Sequence, residues 1–104
     1  MVVLDAKGRL DLGKDIAAQE SISLTSGEDI KLNSVKSTNG GNISVTSAGT
    51  IDIADIGSTD TNSVMLDGRI IKAGKVTSDD GIKMNGGSIE TDTIKTSGDV
   101  NLIG

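Results

Sequence analysis

An aliphatic-x-aliphatic triplet recurs through this chain at a nearly constant interval, and it constrains the fold more than any other feature. It reads Val2-x-Leu4, Ile22-x-Leu24, Ile43-x-Val45, Val64-x-Leu66, Ile82-x-Met84 and Val100-x-Leu102, with steps of 20, 21, 21, 18 and 18 residues. A second triplet follows seven or eight residues later: Leu10-x-Leu12, Ile30-x-Leu32, Ile51-x-Ile53, Ile71-x-Ala73 and Ile89-x-Thr91. A lone aliphatic closes each phrase five or six residues further on, at Ile16, Val35, Ile56, Val76 and Ile94. Alternation with period two marks strands. The joints carry turn formers, namely Gly27, Gly40-Gly41, Gly49, Gly68, Gly81, Gly86-Gly87 and Gly98. Repetition at about twenty residues marks a stack of short supersecondary units, each unable to bury its apolar face alone.

The pattern predicts an all-β parallel β-helix, or solenoid, with three short strands per coil. One domain spans 1–104, with coils at 1–21, 22–42, 43–63, 64–81 and 82–99 and a partial coil at 100–104. Composition leaves two readings open. The chain lacks Phe, Trp, Tyr, His, Cys and Pro, and its apolar content is 35%. Its abundance of Ser, Thr, Asp, Lys and Gly suits a disordered chain, and it also suits a fold whose core is a thin aliphatic column with little room for aromatic rings. The spacing selects the second.

Residues between the aliphatics check the register. In the second triplet they are Asp11, Lys31, Asp52, Lys72 and Glu90, alternating in sign at every coil. Stacked parallel strands set such side chains about 4.8 Å apart, where opposite charges gain roughly 0.2–1 kcal/mol per pair. In the first triplet they are Val3, Ser23, Ser44, Met65, Lys83 and Asn101, mostly polar. The aliphatic members, Ala73 left aside, are expected to point inward.

The net charge is -5. This disfavours nucleic acid, whose phosphates need a basic surface, and an anionic membrane surface. No apolar run is long enough to span a bilayer. Met1 leads into Val2-Val3-Leu4-Asp5, too short for a signal peptide. Without cysteine there are no disulfides and no thiolate metal sites.

The stretches GGNISVTSAGTIDI (Gly40 to Ile53), GEDIKLNSV (Gly27 to Val35) and GSIETDTIKTSGDVNL (Gly87 to Leu102) resemble the coils of filamentous-haemagglutinin-type adhesins. Those are long exoproteins exported by the two-partner secretion route. The resemblance covers nearly the whole chain and implies a right-handed helix, the hand that parallel crossovers also favour. It implies an extracellular or cell-surface location and a structural role. The amino-terminal cap of that family's secretion domain is not visible, so the chain looks like shaft only, and no catalytic residue carries over. A weaker resemblance is to bactofilins, cytoskeletal polymers with coils of the length found in the last two phrases here.

Candidates for chemistry are few. Without His or Cys, the nucleophilic dyads left are of the Ser-Lys type, and the serines and lysines fall mostly in turns or on solvated positions. Paired carboxylates could hydrolyse a glycan; the candidates are Asp79-Asp80, Glu28-Asp29 and Asp92. Aspartates in turns more often serve local hydrogen bonds, and no aromatic platform accompanies them. Gly86-Gly87-Ser88-Ile89-Glu90 does not match the calcium-binding nonapeptide. Gly40-Gly41 and Gly86-Gly87 lack the phosphate-loop spacing and read as coil corners. Stacked Asn or Thr are expected to form ladders along an edge. The expectation is therefore no catalytic, cofactor or metal site and no enzyme. The expected role is a structural shaft of an adhesin or surface fibre, whose partners are further copies stacked head to tail through unpaired end strands, or a surface glycan or protein. The alternatives are a bactofilin-like polymer and a carbohydrate-binding β-helix.

Overall fold

The computed structural model describes residues 2–11, 13–58 and 60–104. They form twelve strands: β1 (Val2–Ala6), β2 (Leu10–Asp11), β3 (Asp15–Ala18), β4 (Ile22–Ser26), β5 (Ile30–Ser37), β6 (Ile43–Ser47), β7 (Thr50–Ile56), β8 (Ser63–Asp67), β9 (Ile70–Ser78), β10 (Gly81–Asn85), β11 (Ser88–Thr96) and β12 (Asp99–Ile103). No described residue is helical.

The strands stack as a parallel β-solenoid of about five coils. The first sheet runs β1-β4-β6-β8-β10-β12 and the second β2-β5-β7-β9-β11, with β3 also on β5. In the first sheet Val2 faces Ile22, Ile22 faces Ile43, Ile43 faces Val64, Val64 faces Ile82 and Ile82 faces Val100. Each triplet thus lies on the next, whatever the length of the coil between them. The second sheet folds into two faces. Its ladder is interrupted where Asn33, Ala54, Gly74 and Asp92 turn the chain, and it resumes at Ser34, Asp55, Lys75 and Thr93. A coil therefore has three faces, with first, second and third corners following them in chain order.

The coils shorten from 21 to 18 residues at two corners. The third corner holds residues 38–42 and 57–62 in the second and third coils and only 79–80 and 97–98 in the next two. The first corner also loses one residue. Corners absorb the change because they carry no ladder, whereas a one-residue slip inside a strand would turn its whole apolar set outward.

Among the described residues seventeen hydrophobic side chains form the core, including Ile30, Ile51 and Ile71 on the second face and Val35, Ile56 and Val76 on the third. The expected inward set holds throughout the middle coils. Val2, Leu4, Leu10, Ile16, Ile89 and Ile94 are half-buried against the core. Val100 and Leu102 differ from expectation, being 45% and 47% exposed. They keep the inward register, facing Ile82 and Met84, but no described strand covers β12, so their outer sides meet solvent. Leu12 lies outside the described residues. Ala73, left out of the expected set, is 2% exposed and lies in register with Ile53.

Candidate functional site

The corners are held by hydroxyls that continue the inward rows. Ser26 follows Ile22 and Leu24, and Ser47 follows Ile43 and Val45, at the same period of two; both are buried. Ser26 Oγ donates to the Gly8 carbonyl one coil below at 2.6 Å and accepts from the Glu28 amide at 3.1 Å. Ser47 Oγ donates to the Glu28 carbonyl and accepts from the Gly49 amide. At the third corner Ser37 Oγ donates to the Glu20 carbonyl at 2.6 Å and Thr61 Oγ1 to the Ser37 carbonyl at 2.7 Å. Ser78 Oγ donates to the Gly81 carbonyl and lies 3.0 Å from Thr96 Oγ1. A turn leaves backbone groups without ladder partners, and an unpaired buried polar group costs about 1–3 kcal/mol. The hydroxyls supply the partners, and no described buried side-chain polar atom is left without one. The sequence carries a partial signal for this row: Ser26 and Ser47 stand two residues past Leu24 and Val45, and Ser37, Ser78 and Thr96 two residues past Val35, Val76 and Ile94.

Of the expected Asn and Thr ladders, one stacked Asn pair is seen at the third corner. Asn62 Nδ2 donates to Asn42 Oδ1 at 3.1 Å, and Ser63 Oγ donates to the same oxygen at 2.8 Å.

Asp11, Lys31, Asp52, Lys72 and Glu90 form one column on the second face, each in register with the next. They stack without closing ion pairs: among the described residues the contacts within 4 Å are Arg9–Asp11 at 3.2 Å and Lys36–Asp55 at 3.3 Å. The column acts through space at rung distance. On the third face Asp15 accepts from Asn33 Nδ2 at 2.7 Å. That bond, with help from Ser34 and the Lys36 charge, holds the Asp15 carboxyl below the usual carboxylate range.

The carboxylates singled out in the sequence lie apart. Asp79 and Asp80 are exposed at the third corner, their amides bonded to the Thr61 and Asn62 carbonyls. Glu28 and Asp29 are exposed at the first corner, where Asp29 Oδ1 accepts from the Thr50 amide at 2.8 Å, a turn-holding role. Asp92 alone joins other acids. It borders a shallow depression with Asp52, Lys72 and Glu90, which Ala54 and Gly74 also line. The described residues hold no group of three His, Cys, Asp or Glu arranged to bind a metal ion. Gly40-Gly41 and Gly86-Gly87 sit at corners, and Gly40 has a φ of 75° that L side chains rarely adopt.

Comparison with protein-family models, with curated proteins and with solved structures finds no match.

Proposed function

We propose that this chain is a segment of a structural, non-catalytic shaft in an extracellular adhesin or surface fibre. The observation that carries the reading is the parallel register of all three faces through the described coils, enclosing one aliphatic column within mostly polar outer faces. Such a solenoid is quasi-one-dimensional: each coil leans only on its neighbours, and length is added coil by coil. That is the mechanical requirement of a spacer. In such a shaft the rung of Val100 and Leu102 is covered by a further coil, from the same chain or from a second copy. A contact between the top of one copy and the bottom of another is heterologous and propagates into a fibre. The extracellular placement and the adhesin role rest on the resemblance of Gly40–Ile53 and its counterparts to two-partner secretion exoproteins.

Antibody labelling of intact and permeabilised source cells tests the reading. Labelling of intact cells, removed by external protease, is the expected result. Labelling confined to permeabilised cells would overturn it in favour of a cytoplasmic polymer of the bactofilin kind.

A further inference from the structure

We propose that a pit on the third face binds a single anionic group, sulfate or carboxylate, carried by a sparsely charged polysaccharide. The inference is independent of the shaft reading. On this face Lys36 lies in register with Ala17, and higher up the exposed Lys95 lies in register with Thr77, which is buried. Gly57 falls between Lys36 and Thr77, because its neighbour Ile56 faces Val35 below and Val76 above. A pit beside it is bordered by Lys36, Asp55, Ser58, Lys75, Thr77 and Lys95. Gly57 has a φ of 79°, and a Cβ at this position would collide with the Thr77 carbonyl oxygen.

Three ammonium groups thus border one pit with one carboxylate among them, on a chain whose net charge is -5. Asp55 engages Lys36 at 3.3 Å. Lys75 and Lys95 are exposed and have no ion pair within 4 Å among the described residues. Screening confines each charge to about 10 Å at moderate salt, so the pit is locally positive despite the acidic total.

The surroundings narrow the ligand. Asp60, Asp79 and Asp80 are exposed at the adjoining third corner. They repel a densely charged polyanion such as nucleic acid, whose bases would also find no aromatic surface for stacking. Thr93, exposed in register with Lys75, and Ser58 offer hydroxyls beside the pit and no large apolar surface. An isolated charge on a hydroxyl-rich chain matches this ground better than an acidic peptide with apolar side chains.

Titration calorimetry of the full chain decides it, with lightly sulfated, lightly carboxymethylated and unmodified dextran as probes. The expected result is binding of at least one charged dextran, weakening as salt rises; which one binds identifies the group. The double variant Lys75→Glu/Lys95→Glu is expected to lower that affinity at least about tenfold. Lys72→Glu makes the same kind of charge change on the second face and is expected to leave the affinity within about twofold. Lys75→Gln/Lys95→Gln replaces the double reversal if circular dichroism shows that variant unfolded. Failure of both charged dextrans, equal binding of the unmodified one, or equal loss in Lys72→Glu would overturn the proposal.

Discussion

Ile51 lies one rung from Ile30 in the parallel register of β5 and β7, and neither side chain has any measurable solvent exposure. Ile71 continues the column on the other side. Ile51→Asp would place a carboxylate between two apolar rungs in a core without a polar partner at that level. A loss on the order of 3–5 kcal/mol is expected, read as a shift in the urea midpoint at constant slope. A loss below about 1 kcal/mol would mean that the side chain reaches water and that the second face is misplaced.

Asp52 stands between Lys31 and Lys72 on the outer side of the same strands. Asp52→Lys sets three ammonium groups on consecutive rungs. Because the native charges stack without contact, the effect is modest, about 0.5–1 kcal/mol at low salt, and shrinks towards zero at high salt as screening sets in. Unfolding in 0.02 M and 1 M sodium chloride measures it, and a loss equal at both salts would show steric rather than electrostatic origin.

Ser47 is 6% exposed and bridges the Glu28 carbonyl to the Gly49 amide. Ser47→Ala leaves both groups short of a partner and is expected to cost about 1–3 kcal/mol. Ser44→Ala, on the solvated side of the same strand, is expected to stay within about 0.5 kcal/mol. Equal costs at the two positions would remove the special role given to the corner hydroxyl.

Asp15 owes its lowered carboxyl pKa first to the Asn33 amide, then to Ser34 and Lys36. The folded value lies below the unfolded one, so the contribution to stability is present above the unfolded pKa and disappears as pH falls through the folded value. Asn33→Ala is expected to move the Asp15 titration upward, followed by carboxyl carbon NMR. An unchanged midpoint would show that the Asn33 contact does not govern the group.

The sequence made the ladders legible because a core this thin writes itself as a two-residue alternation. Val64 found Ile43 on one side and Ile82 on the other although the intervals differ. The charge column was legible for the same reason, since Asp52 and Lys72 are locked to the register of Ile51 and Ile71. The corners were harder to read. Ser37 and Ser78 look like ordinary turn residues, and only the backbone carbonyls brought to them by neighbouring coils make them inward partners. The pit at Gly57 was hidden for a related reason. Lys36, Lys75 and Lys95 are far apart in sequence, and the parallel register of β5, β7, β9 and β11 groups them on one face.

Register survives the change in coil length. The cysteine-free chain allows a direct test by paired cysteine substitution and oxidation, since a disulfide needs Cα atoms about 4.4–6.8 Å apart. Met65 faces Lys83, 18 residues on, whereas a constant 21-residue coil would place Met65 opposite Gly86. Met65→Cys/Lys83→Cys is expected to cross-link rapidly and Met65→Cys/Gly86→Cys not at all. The reverse result would contradict this register.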